Sequence, residues 1–251
     1  MRQIRRYEAG EQQPLFLTRG TGRRSSLAAV AMLIAVWGAS AGMGKSTLCA
    51  GLSYWLADAG LKVDHFREEE ILTRPQFGAV ADMFRATGTV DVETLMAASA
   101  EFVSAVLESG DDVVVADALV PFVPTLLAMN YPDETIDAFM TDLTEVLAPL
   151  SPVMVFLDGR AEIGLSRAAA REDDKWLGWY VDKLGRYEVT PPVTDVASAV
   201  RYLQRERAVT LDAVRRNGWP LVMIEHADER SPVEVLQVAQ RSLAPRVGGI
   251  V

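Results

Sequence analysis

Residues 31–47 read AMLIAVWGASAGMGKST, and no other stretch limits the fold so tightly. The run at 31–37 is small and apolar throughout, as a strand buried on both faces requires. It breaks into a Gly-rich turn, and Lys45, Ser46 and Thr47 then open a helical pattern that reaches about Asp58. Strand, glycine loop and helix in that order form a phosphate cradle. Gly42 and Gly44 let backbone N–H groups turn inward around phosphate oxygens. The helix N-terminus adds partial positive charge. Lys45 is placed to reach the β- and γ-phosphates, and Ser46 to ligate Mg²⁺. The loop itself, Ala39, Ser40, Ala41, Gly42, Met43, Gly44, Lys45, Ser46 and Thr47, is the expected binding site for ATP. The first glycine of the usual pattern falls on Ala39, with Gly38 one place earlier.

The remaining pattern alternates strands with helices. Lys62–Phe66 reads as a second strand, followed by the acidic run Arg67-Glu68-Glu69-Glu70. Helical spacing follows at 78–87 and 91–109, with Phe77, Val80 and Phe84 on one stripe. Val113–Asp117 is a buried strand ending in a carboxylate, and Val153–Leu157 is another, ending at Asp158. Helical patterns cover 122–129, 133–148, 161–187 and 195–217. A fifth strand, Leu221–Glu225, precedes a last helix with Pro232 at its first position. Such alternation predicts an α/β fold with a parallel sheet and helices on both faces. Ligands of such sheets bind at the carboxyl ends of the strands.

Charge and cysteine content narrow the function classes. The chain of 251 residues carries a formal charge of -9, which argues against nucleic acid as a partner. No apolar run reaches the roughly 18 residues of a membrane helix, so no membrane partner is expected. The single cysteine, Cys49, forbids an intrachain disulfide and fits a reduced, cytoplasmic setting. Residues 1–31 differ, with six arginines against Glu8 and Glu11, and are read as a basic, flexible N-terminal extension before one domain at 32–251. Arg23-Arg24 before an apolar run resembles an export signal. That reading is rejected, because cleavage at Ala39-Ser40-Ala41 would cut the phosphate loop. The acidic surface leaves a homodimer open.

From Met32 to about Leu243 the chain resembles the nucleoside and nucleoside-monophosphate kinases of the P-loop NTPase class, with thymidylate and deoxynucleoside kinases nearest in layout. Four places carry the resemblance: GMGKST at 42–47, Phe66-Arg67-Glu68, VVVAD at 113–117, and LDGRAEIGLSRAAARED at 157–173. It implies a three-layer αβα sandwich, a five-stranded sheet of order 2-3-1-4-5, and a helical lid at about residues 159–190. It also implies transfer of the ATP γ-phosphate to a small acceptor bearing a hydroxyl or phosphate, with nucleosides and nucleotides the leading class. A kinase acting on an antibiotic or other metabolite hydroxyl is the alternative within the same chemistry. A nucleotide-switched binding protein is the alternative of another class, although the guanine-reading Asn-Lys-x-Asp run is missing. Two departures bear on the acceptor. Asp117 is followed by Ala118 rather than Arg, and Glu68 by Glu69 rather than Pro.

Phosphoryl transfer needs charge neutralisation, alignment and a proton acceptor. Arg167 and Arg171, four apart on one predicted helix, form a candidate clamp on the donor phosphates, with Arg160 nearby. Glu68 is the first candidate base, with Asp64 and Glu69 as competitors. Asp117 is expected to hold Mg²⁺ through water or to orient the acceptor. Arg67 and Arg85 are candidates for the charge missing after Asp117. Phe77 and Phe122 are candidate walls of the acceptor pocket, while Phe84 is assigned to the core. Trp176, Trp179 and Tyr180 are expected to serve packing, and Cys49 to be buried and inert.

Overall fold

The computed structural model describes residues 31–249 except 118, 119, 174 and 188. The extension expected before the fold thus lies outside the described residues, apart from Ala31, which is buried in the core. Five strands form one parallel sheet: β1 (Met32–Gly38), β2 (Val63–Phe66), β3 (Val113–Asp117), β4 (Val153–Leu157) and β5 (Leu221–Ile224). Their order is β2-β3-β1-β4-β5, as the resemblance implied. Met32 pairs with Val113 and Ile34 with Val153, so β1 is held on both edges. That explains its unbroken apolar sequence: every residue from Met32 to Val36 is buried.

The side chains of β1 alternate between two cores. Met32, Ile34 and Val36 face α1 (Lys45–Asp58) and α9 (Pro232–Val247). Leu33 and Ala35 face the opposite layer, built on α3 (Val92–Ser109), α4 (Val123–Ala128) and α5 (Asp133–Leu147). Between β2 and α3 lie a 3-10 turn at Glu68–Leu72 and α2 (Gly78–Thr87). Helix ends follow their local chemistry. Asp91 caps α3 by accepting from the Thr94 amide, and Ser231 with Glu234 forms a capping box on α9 with Pro232 inside it.

The pattern read as one helix over 161–187 is two. α6 (Ala161–Arg171) ends before Asp173, and α7 (Trp176–Arg186) starts afterwards. Both pack with α8 (Val196–Arg216) around a third small core that includes Leu165, Leu184, Ala199 and Leu203. This helical group stands at the carboxyl end of the sheet, against the glycine loop: Ser40 Oγ donates to the Ala161 carbonyl at 3.3 Å. No described helix is long and apolar enough to cross a membrane.

Candidate active site

The glycine loop spans the turn from β1 into α1. Gly42 and Gly44 have φ of 76° and 92°, the left-handed region that a side chain would strain. Gly42 is held by contact as well: a Cβ there would lie 2.1 Å from the Gly164 carbonyl oxygen of α6. Reciprocally, a Cβ on Gly164 would lie 2.0 Å from Ser40 Oγ. Ala39 sits where a glycine is usual, buried and without positive φ, so its methyl is accommodated. Lys45 opens α1 and its Nζ donates to the Ser40 carbonyl at 2.9 Å, folding the side chain back over the loop. Burial lowers the Lys45 pKa, against the pull of Glu68, Asp117 and Glu206. Ser46 and Thr47 stand exposed on the first turn of α1.

Two cavities flank this loop. A pocket of about 290 Å³ lies on its outer side, between Gly42, Gly44, Thr47, Arg167, Arg230 and Pro232. Arg167 is fixed there by donating to the Asp228 carbonyl at 2.5 Å. On the inner side a cavity of about 750 Å³ reaches Lys45. Its floor is Trp37, Ser40 and Ala41, and one wall is Glu68, Glu69 and Ile71 after β2. Phe84 of α2 and Phe122 with Met129 around α4 close a second side. Trp176, Trp179, Tyr180 and Lys183 of α7 and Tyr202 with Glu206 of α8 close the third. A cleft of about 890 Å³ between the end of β4, α6 and α8 is larger, but both of its arginines are committed to carboxylates. Arg160 pairs with Asp228 at 2.7 Å, and Arg207 with Asp158 at 2.6 Å.

Three carboxylates surround Lys45. Glu68 projects from the 3-10 turn into the cavity; partial burial raises its pKa, Lys45 lowers it, and Asp117 raises it again. Asp117, at the end of β3, is 3% exposed, and its Oδ1 has no partner among the described residues. Beside it the Cys49 thiol is buried and pushed up by burial and by Asp117, as expected of an inert cysteine. Glu206 is the third, and nothing in its sequence context marks it as a site residue. Burial at the cavity wall pushes its carboxyl up to about 7, with Lys45 pulling the other way.

Several expected site residues stand elsewhere. Phe77 is only 1% exposed, enclosed by Phe66, Phe102 and Phe122 with centroids 5.4 to 6.2 Å apart, and does not line the cavity. Phe84, assigned to the core, is 37% exposed and does line it. The reason is that Phe77 precedes α2 on a 3-10 turn, so the assumed stripe is not one helical face. Phe122 lines the cavity as expected, in a left-handed conformation with φ 62°. Arg67 turns outward to Glu70, at 2.7 Å, and Glu69. Arg85 pairs with Asp82 on the surface of α2. Arg171 is exposed and paired with Glu172, so only Arg167 of the expected clamp reaches the loop. Asp64 is locked bidentate to Arg74 at 2.6 and 2.8 Å, which removes it as a competing base. Trp176 and Tyr180 pack against the third core as expected, and together with Trp179 they also form cavity wall. Their spacing along one helix was the available signal. No protein-family model matches the chain, and comparison with curated proteins finds no match.

Proposed function

We propose that the chain is an ATP-dependent small-molecule kinase with the P-loop NTPase sandwich and a helical lid formed by α6 and α7. The observation that carries this reading is Lys45, which belongs both to the glycine loop and to an apolar cavity of about 750 Å³, a volume suited to a small organic ligand. The loop would hold the ATP triphosphate, and Arg167 with the outer pocket would hold the rest of the donor. Mg²⁺ fits the residues present: Ser46 is exposed on the first turn of α1, and the buried Asp117 Oδ1 has an unsatisfied acceptor. The ion would neutralise charge on the transferred phosphoryl group.

The acceptor hydroxyl would enter from the cavity side, opposite Lys45. Its oxygen attacks the γ-phosphorus, the bond from that phosphorus to the bridging oxygen breaks, and ADP leaves with the electron pair. Glu68 accepts the hydroxyl proton, and burial keeps its pKa above that of an ordinary glutamate, closer to the operating pH. Lys45 neutralises charge on the phosphates as the bond breaks.

The test is acceptor-dependent ADP release with Mg·ATP across nucleosides, nucleoside monophosphates and hydroxylated amines. Turnover above the acceptor-free rate, lost in a folded Lys45→Ala variant, supports the reading. ATP binding with no acceptor-dependent ADP from the whole panel refutes it.

A further inference from the structure

The charges on the inner cavity are mixed, with one more carboxylate than cation. Among the described residues its lining holds Glu68, Glu69 and Glu206 against Lys45 and Lys183, and no arginine. The arginines near it in sequence are committed elsewhere. Arg67 is tied to Glu70, Arg74 to Asp64 and Glu70, and Arg85 to Asp82. On α8, Arg205 reaches Asp133 and the Thr190 carbonyl, while Arg207 holds Asp158. A phosphate- or carboxylate-bearing acceptor would therefore lack the forked donors that recognise such groups.

Glu206 is the half-buried member of this pattern, on the α8 wall. It has no hydrogen-bond or ion-pair partner among the described residues, and Lys45 is the cation nearest to it in effect. On the kinase reading, donor phosphates claim Lys45, which leaves Glu206 facing the acceptor without a counter-charge. Aromatic rings adjoin it. Tyr180 and Tyr202 both feel the Glu206 charge, and Tyr180 stacks on Trp176 at 5.0 Å. Two polar atoms on this lining are buried and unpartnered among the described residues: Tyr202 Oη, on a side chain 5% exposed, and Trp37 Nε1. On the same wall, Lys183 Nζ stands 5.5 Å from the Trp179 ring centroid, so the Trp179 ring already takes a cation. Carboxylate and ring face together make a site for an organic ammonium.

Resting on the kinase reading, we propose that the acceptor is a hydroxylated organic amine with a flat apolar ring, its ammonium held by Glu206 and its ring by the aromatic wall of α7 and α8. The amine stays protonated and takes no part in the transfer. It fixes the molecule so that a hydroxyl lies between Glu68 and the γ-phosphate.

The experiment is calorimetric binding of three matched probes, phenylethanolamine, phenylethanediol and mandelate, and of thymidine monophosphate, to the full chain in the presence of Mg²⁺ and a non-hydrolysable ATP analogue. The amine is expected to bind about tenfold tighter than the diol, with both anions weaker than either. Glu206→Gln is expected to bring the amine down to the affinity of the diol while leaving the diol unchanged, which also reports an intact cavity. Glu206→Asp is expected to keep part of the preference. Equal binding of amine and diol, tighter binding of either anion, no binding of the amine at millimolar concentration, or a preference that survives Glu206→Gln overturns the proposal. The two readings fail separately. An amine that binds but supports no ADP release sinks the kinase and keeps the amine site. ADP release with thymidine monophosphate and not with amines does the reverse.

Discussion

Replacing Glu206 by Gln should stabilise the protein at alkaline pH and leave it unchanged in acid. Burial raises the carboxyl from its ordinary 4.5 to about 7 in the folded chain. Between those values the folded state binds more protons than the unfolded state, so stability falls as pH rises. Below the unfolded pKa the group is neutral in both states and contributes nothing. Above the folded pKa the full penalty is present. A tenfold change in an acid's ionisation constant corresponds to about 1.4 kcal/mol, so raising the pKa from 4.5 to about 7 gives an upper value near 3 kcal/mol. Water in the cavity screens part of it, and about 2 kcal/mol is the expected difference. Lys45 is the opposing charge, and Glu68, Tyr180 and Tyr202 share the wall. Urea unfolding of both proteins at about pH 4 and about pH 8 isolates the effect, because titrating groups not coupled to Glu206 cancel between them. The variant should gain about 2 kcal/mol between the two conditions relative to the parent. A gain that does not change with pH would show that Glu206 ionises normally and is not desolvated by the cavity.

Other outcomes follow from the same geometry. Glu68→Gln should lower kcat by about 10²- to 10⁴-fold while ATP affinity stays within a few-fold, measured by steady-state kinetics and ATP titration. Parent-like kcat would remove Glu68 as the base. Gly164→Ala places a methyl 2.0 Å from Ser40 Oγ and 2.6 Å from the Ala41 carbonyl. Separating α6 from the loop should cost about 1–3 kcal/mol and weaken ATP binding, read by thermal melting and calorimetry. Phenylethanolamine affinity should rise as pH increases through about 7, where Glu206 gains its charge, and this rise should vanish in Glu206→Gln.

The sheet and the loop were legible because local sequence and tertiary role coincide there. A strand buried on both faces has to be apolar along its whole length, and β1, β3 and β4 read that way. Left-handed turns call for glycine, and Gly42 and Gly44 supply it. The strand order came from resemblance alone, since nothing in a strand's own residues names its neighbours. The arginines were harder. Any exposed arginine near a strand end looks available to a ligand, but Arg67 has Glu70 three residues ahead and Arg85 has Asp82 three behind. Those spacings were a readable sign that local pairing would claim both.

Glu206 was illegible for a different reason. In the run Arg205-Glu206-Arg207 it looks like one charge on a solvated helical face. The two arginines do leave the cavity, one for Asp133 and one for Asp158, and only the carboxylate between them points inward. That inward turn depends on where α8 lies relative to α7, a distance in space that helical periodicity does not encode. The same placement sets the chemistry. α8 brings a carboxylate to the cavity and no arginine, and on the amine proposal, with Lys45 engaged by the donor, that carboxylate would favour a cationic acceptor. On the kinase reading, the glycine loop, Asp117 and Arg167 would serve the donor and Glu68 the acceptor proton, whereas the wall contributed by α7 and α8 would set what is phosphorylated. On this reading, donor handling and acceptor choice come from separate parts of the chain, and substitutions on α8 should change the acceptor while leaving ATP binding in place.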